Sequence, residues 1–238
     1  MRIPSSLSSR LEQECRVLAW DKFFSSRATN GATGTRVERV RSGAFSAGAN
    51  RSHFQSTPTV TPFSTFVLLQ PALQTMIRIV KRQFPKFKYS SIQCNRNFGG
   101  QLHCDSHNIG PYVMFTIGNY TGGNLFYYDA DKKTYRILRT KNRAILFDGN
   151  FPHGTTPYKG ERFSFVFFAT DKCIGLKKEL ACTLENAGFN YPWNLKKNTS
   201  VTPAMKKKFL QEACALIRTD RVKLHNQGHL SAISKHLK

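Results

Sequence analysis

Three residues of this chain combine donor types that a divalent metal accepts. His103 and Asp105 stand one residue apart, and His153 follows fifty residues after the first. On an extended strand, residues i and i+2 share a face, so His103 and Asp105 point one way and Cys104 the other. One imidazole, one carboxylate and a second imidazole make a facial set that suits non-haem Fe(II) and leaves coordination positions open. Nine residues beyond His153, Arg162 begins the run RFSFVFFA. Alternation puts Arg162, Ser164, Val166 and Phe168 on one face, with Phe163, Phe165 and Phe167 on the other. A guanidinium on the inward face of so apolar a strand is costly unless an anion meets it. A carboxylate matches its planar fork, and the Ser164 hydroxyl can add a hydrogen bond. Asn95 and Asn97, on an earlier strand, and Asn108, just after the His-x-Asp pair, are candidates to contact such an anion or to fix the metal loop.

Each of these residues also has a plainer reading. His103 and Asp105 can be an ordinary hydrogen-bonded pair at a turn, and His153 a loop histidine. Arg162 can join Glu161 or Asp129 in a surface ion pair. His107 is a possible substitute ligand, although its spacing fits less well. Cys94 and Cys104 read as structural thiols. His225 and His229 with Cys214 lack an evident fourth ligand for zinc.

The elements that must position the candidates can be read around them. Pro71 to Phe84 predicts a helix, with proline in its first turn and Leu73, Met76, Ile77, Val80 and Phe84 at helical spacing. Short strands are expected near 89–96, 100–106, 111–118, 124–128, 134–138, 143–147, 151–156 and 162–169, separated by Gly, Asn and Asp. Fifty residues accommodate five or six strands, enough to return His153 to the first pair. Strands at this spacing suit a mainly β, double-sheet jelly roll (a cupin-like double-stranded β-helix) with flanking helices, or a β-sandwich of another topology. The folded core is expected over residues 63–170. Residues 1–62 read as a largely flexible N-terminal extension: Leu11 to Phe24 can form a short helix, but Ala28 to Thr61 has linker composition. Residues 171–238 read as a basic, helical C-terminal extension, with helices over 176–187 and 203–218, Lys206, Lys207 and Lys208 off the face formed by Leu210, Cys214 and Ile217, and a loose end.

Composition limits the partners. The formal charge of +22 divides as +5, +9 and +8 over those three regions, so no single tail carries it. Such a field attracts polyanions, nucleic acid first among them, and also acidic protein or an anionic membrane surface. The six cysteines form no C-x-x-C and no disulfide framework, which points to a reducing, intracellular compartment, nucleus or organelle included. No run is long and apolar enough to span a bilayer. The N-terminus lacks a signal-peptide core; its Ser, Arg and Ala content allows an organellar presequence, against which Glu12, Glu14 and Asp21 weigh.

Over residues 84–168 the chain resembles the Fe(II)/2-oxoglutarate-dependent dioxygenase superfamily, through FPKFKYSSIQCNRNFGGQLHCDSHNIG, YTGGNLFYYD and AILFDGNFPHGTTPYKGERFSFVFF. The resemblance implies His103, Asp105 and His153 as iron ligands, and Arg162 with Ser164 as the seat of 2-oxoglutarate. Asn95 or Asn97, and Asn108, would support the cosubstrate or the metal loop. Fe(II), 2-oxoglutarate and O2 would be required. The reaction implied converts 2-oxoglutarate to succinate and carbon dioxide while hydroxylating a substrate C–H bond. Asn124 stands where the family often has an acidic residue after the paired glycines. Collagen-type prolyl hydroxylases usually hold the cosubstrate with Lys rather than Arg, and the second Arg of alkylation-repair dioxygenases is missing here. The pattern is also similar to that of methylpyrimidine oxygenases, but too many branches share it to assign a substrate. Nucleic acid is slightly favoured over a protein side chain, with a small metabolite or a non-catalytic jelly-roll binding domain as further readings. Tyr127 and Tyr128 are candidates to stack a base or peptide.

Overall fold

In the computed structural model, residues 1–20, 43–50, 57–196 and 200–227 are described. The last four residues, 21–24, of the helix expected over 11–24, most of the linker region and His229 lie outside them.

The strand run after Arg162 organises the larger of two β layers. β1 (Gly43–Asn50), β2 (Thr59–Val60), β3 (Ser91–Arg96), β4 (Asn108–Ile117), β8 (Ile145–Phe147) and β11 (Phe163–Thr170) form a sheet in the order β2-β1-β3-β11-β4-β8. β11 is central, pairing with β3 through Phe163–Arg96 to Phe168–Ser91 and with β4 on its other side. Alternation then decides the faces. Phe163, Phe165, Phe167, Ile92, Cys94, Val113 and Phe115 are buried in one cluster with Leu11 and Cys15 of α1 (Ser5–Arg16), Leu73, Met76 and Ile77 of α2 (Gln70–Gln83) and Leu184 of α3 (Lys178–Asn186). Three helices therefore cover that face.

The opposite face meets the smaller layer, made of β6 (Leu125–Asp129), β7 (Thr134–Leu138) and β9 (His153–Thr155) in the order β7-β6-β9. A separate pair joins β5 (Tyr120–Gly122) to β10 (Tyr158–Gly160). Between the layers lie Tyr112, Met114, Leu125, Phe147 and Phe168. The outer face of the smaller layer is closed by α4 (Pro203–Thr219) and α5 (Arg221–Asn226), whose Ala213, Ile217 and Leu224 pack on Phe126 and Tyr128. The architecture is an antiparallel, jelly-roll-like β core with flanking helices.

Three expectations change. Residues 43–50, read as linker, form β1 and pair with β3 over six residues. Backbone pairing and small side chains put this strand into the sheet without a hydrophobic pattern to announce it, and α1 likewise buries Leu11 and Cys15, so the region before residue 63 is in part an integral piece of the core. Residues 100–106 form no strand; His103 makes only an isolated bridge to His153. Tyr128 is buried, with its hydroxyl donating to Glu212 at 2.6 Å, and Tyr127 is half-buried, so neither is a free stacking platform. Among the described residues no helix is long and apolar enough to cross a membrane. All six cysteines are free.

Candidate metal centre

His103 arrives on the loop before β4, and His153 opens β9. Their backbones exchange two hydrogen bonds, each 2.9 Å, and Asp105 N donates to Gly149 O at 2.9 Å. The two ligand-bearing loops are thus tied to each other through the main chain. Gly149 is a requirement of space, because a Cβ there would stand 2.1 Å from the Tyr112 ring.

The imidazoles are oriented alike. His103 Nδ1 lies 2.6 Å from Gln101 O, and His153 Nδ1 lies 2.9 Å from Phe151 O, each carbonyl two residues before its histidine. A carbonyl only accepts, so each Nδ1 carries the proton and each Nε2 keeps its lone pair. Those Nε2 atoms face one carboxylate: His103 Nε2 is 3.7 Å from Asp105 Oδ1, and His153 Nε2 is 3.9 Å from Oδ2. One ligand atom from each of the three residues lies within 4.8 Å of the others. Burial, and then the neighbouring His103, lower the His153 pKa to about 4, which keeps that ring neutral and able to ligate near neutral pH. Asn108 Nδ2 donates to Asp105 Oδ2 at 3.2 Å and fixes the carboxylate. Two imidazole nitrogens and one carboxylate therefore converge from His103, Asp105 and His153, the three residues that the sequence resemblance leads us to expect as metal ligands.

The triad opens onto a cavity of about 510 Å3, within the usual range for small-molecule sites. Its walls include Tyr112, Met114, Phe147 and Phe168, and its polar lining includes Asn95, Asn108 and Ser164. Asn95 Nδ2 donates to Ser164 Oγ at 3.2 Å, joining β3 to β11 at that wall.

Arg162 is 1% exposed. Nη1 donates to Phe98 O at 3.1 Å, whereas Nε and Nη2 have no hydrogen-bond partner. The guanidinium carbon stands 5.7 Å from the Tyr120 ring centre and 5.5 Å from that of Tyr158, a cation–π setting. Burial lowers its pKa, partly offset by those tyrosines. Gly123, at φ +64°, makes room, since a Cβ there would meet Arg162 Nε at 3.0 Å. The surface ion-pair alternative does not occur: Glu161 pairs with Arg96 at 2.6 Å and Arg16 at 3.3 Å, and Asp129 with Arg136 at 3.5 Å. Phe98, whose carbonyl Arg162 holds, lines the cavity together with Ser164.

Other candidates fall elsewhere. Asn97 adopts φ 52°, and its Oδ1 accepts from Arg162 N at 2.9 Å, so it locks the start of β11 and does not line the cavity. His107 pairs with Asp171 at 3.2 Å. Cys94 is buried beside Met76, and Cys104 points at Lys206 O. Sequence reasoning missed Tyr112, which is 1% exposed, lines the cavity and has a hydroxyl without a hydrogen-bond partner. Only its inward parity on β4 signalled it, and that parity is shared with ordinary core residues.

No family model and no curated protein matches the chain. Among solved structures, NgTET1 in complex with 5mC DNA is 14% identical, with a TM-score of 0.41 over 72% of this chain and 70% of that one. A prolyl hydroxylase from Trichoplax adhaerens, in complex with a hypoxia inducible factor oxygen degradation domain peptide fragment, is 15% identical, with a TM-score of 0.49 over 73% and 83%. An oxidoreductase of the 2OG-Fe(II) oxygenase family from Burkholderia pseudomallei is 16% identical, with a TM-score of 0.41 over 71% and 92%. Likeness at this level identifies no substrate.

Proposed function

We propose that this enzyme is an iron- and 2-oxoglutarate-dependent hydroxylase built on a double-stranded β-helix, and that it acts on nucleic acid. The observation that carries the chemistry is the pairing of an inward-facing triad with a buried guanidinium that lacks an anion. The residues present fit the cofactor set: two imidazole lone pairs and a carboxylate suit Fe(II), and the two unpartnered nitrogens of Arg162 suit a carboxylate. When bound, iron with 2-oxoglutarate and dioxygen supplies the oxidation: one oxygen atom enters succinate as carbon dioxide leaves, and the other enters the substrate C–H bond.

The chain's own residues do the rest. His103, Asp105 and His153 hold the metal, and the carboxylate offsets part of its charge. Arg162 and Ser164 receive the distal carboxylate of 2-oxoglutarate, with Asn95 steadying the serine hydroxyl. Tyr112, Met114, Phe147 and Phe168 keep water from the reacting end.

The nucleic-acid reading rests on charge. Several acids of the described residues are engaged internally: Asp105 at the triad, Glu161 with Arg96 and Arg16, Glu212 with Tyr128, Asp220 with Tyr135, and Asp171 with His107. Lys81, Arg82, Lys86, Lys88, Lys132 and Lys133 are exposed, and the net charge is +22. Phosphate binding through such side chains weakens steeply with salt. The test is product mass spectrometry on oligonucleotide and peptide libraries with Fe(II) and 2-oxoglutarate. A mass gain of one oxygen on an oligonucleotide, with succinate formed in step, is the expected result. Hydroxylation confined to peptides overturns the substrate class. Absence of succinate with every library overturns the enzyme reading.

A further inference from the structure

Lys206, Lys207 and Lys208 open α4, where Thr202 caps the helix by accepting from Met205 N at 3.3 Å. The sequence suggests only that the three lie off the helix's apolar face, and solvent is the simplest place for them. Lys207 and Lys208 are exposed, but Lys206 is half-buried and turns back toward the metal centre. Its Nζ donates to Asp105 O and, at 2.9 Å, to Asn150 Oδ1. Asn150 is buried, and its backbone N and Nδ2 both donate to Asp148 Oδ1, at 2.9 and 2.8 Å. One ammonium group therefore bridges the loop that carries His103 and Asp105 to the loop that leads into His153.

The helix that delivers this ammonium is itself fixed. Tyr128 OH donates to Glu212 at 2.6 Å, and Tyr135 OH donates to Asp220 at 2.8 Å. Phe209 stacks near Phe151, with centroids 5.4 Å apart, and Ala213 and Ile217 are fully buried against the smaller layer. Phe151 also supplies the carbonyl that orients His153, so α4 touches the histidine loop at two points.

We infer that Lys206 is a positioning residue of the metal centre, holding the two ligand-bearing loops at the separation where their three ligand atoms converge. This inference rests on the reading of His103, Asp105 and His153 as the metal site. It also makes the C-terminal helix a working part of that site. Two physical effects oppose each other here, and their signs differ. A cation near a dication repels it, so a purely electrostatic Lys206 weakens metal binding, and its removal tightens it. A lysine that holds ligand geometry does the reverse, and removal of such outer hydrogen bonds typically costs about 10- to 100-fold in metal affinity.

The experiment is anaerobic titration of the full-length, metal-free protein with Fe(II) alone, without cosubstrate. Lys206→Met should weaken Fe(II) binding by about 10- to 100-fold. Lys206→Arg, which keeps donors and charge, should recover part of the loss. Lys207→Met makes the same charge change one residue away and should leave Fe(II) affinity at the wild-type value. Equal or tighter binding by Lys206→Met overturns the inference. If that variant does not fold, Asn150→Ala removes one of the two acceptors and should still weaken Fe(II) binding; unchanged affinity in a folded Asn150→Ala protein overturns it instead. Failure of the underlying site reading looks different: Asp105→Ala would then bind Fe(II) as the wild type does.

Discussion

The metal end of the site and the Arg162 end are prepared to different degrees. At the metal end each ligand is held from behind: Gln101 O and Phe151 O fix the rings, Asn108 fixes the carboxylate, and the backbones of His103 and His153 pair directly. At Arg162 the guanidinium is just as firmly placed, one residue before the central strand of the larger sheet and with its backbone N–H held by Asn97 Oδ1, yet two of its three nitrogens lack a partner. The first end is complete as a geometry and the second is incomplete as a charge balance. A flexible loop can be made precise by local hydrogen bonds, whereas a buried cation can be balanced only by something that arrives. Substitutions at the two ends should therefore separate stability from binding in opposite ways.

Asp105→Ala should have the largest effect on turnover. It removes the only carboxylate of the triad, and succinate formation should fall below detection while the protein stays folded. The lost Asn108 bond costs about 1 kcal/mol of stability. Measurable iron-dependent turnover in this variant would refute the ligand assignment. His153→Ala should behave in the same way.

Arg162→Met is the sharper test of the comparison. Removing one partner of a buried charge pair costs roughly 2–5 kcal/mol of binding, or on the order of 30-fold to several thousand-fold in 2-oxoglutarate affinity. Without cosubstrate, the same change removes a desolvated, half-satisfied cation. The metal-free protein should be as stable as the wild type or gain up to about 2 kcal/mol. Thermal denaturation with and without 2-oxoglutarate reads both numbers. A large loss of stability with unchanged cosubstrate affinity would make Arg162 a structural residue.

What the sequence displayed and what it hid follow the same division. β11 was legible because strict alternation from Arg162 to Phe168 leaves one face polar at its start and the other wholly aromatic. The triad was legible because its residue types have few other reasons to occur at that spacing. β1 was not, because GAFSAGAN is buried through backbone pairing with β3 and carries one large side chain, Phe45. The short β5 and β10, three residues each, have no period to detect. Lys206 was hidden for a related reason: in a run of three lysines nothing local distinguishes the one that points inward. That choice is made by the docking of α4 through Tyr128 and Tyr135, more than 60 residues earlier.

Tyr112→Phe probes the cavity wall beside the metal centre. Its hydroxyl is buried beside Asp105 and Asn108 without a well-formed hydrogen bond to either, so its loss should change stability by no more than about 0.5 kcal/mol. If the phenol donates to a bound ligand, kcat/KM should fall by about 5- to 10-fold, the worth of one hydrogen bond. The comparison to make is denaturation of the ligand-free protein against steady-state kinetics. Unchanged kinetics would leave the phenol idle and the cavity's polar recognition to its other polar residues, Asn95, Asn108 and Ser164 among them.

The smallest effects should separate the two asparagines that the sequence could not rank. Asn97 lies at positive φ, and its Oδ1 is occupied by Arg162 N. Asn97→Ala should therefore cost about 1–2 kcal/mol of stability through the lost bond and the left-handed backbone, while the KM for 2-oxoglutarate stays within about twofold. Asn95 faces the cavity and steadies Ser164, so Asn95→Ala should raise that KM by about 5- to 10-fold, with a smaller loss of stability. The decisive quantity is the ratio of the two effects in each variant. If Asn97→Ala instead raises the KM and spares the fold, the anion lies on the Asn97 side of Arg162, and the direction in which its unpartnered nitrogens are used must be reversed.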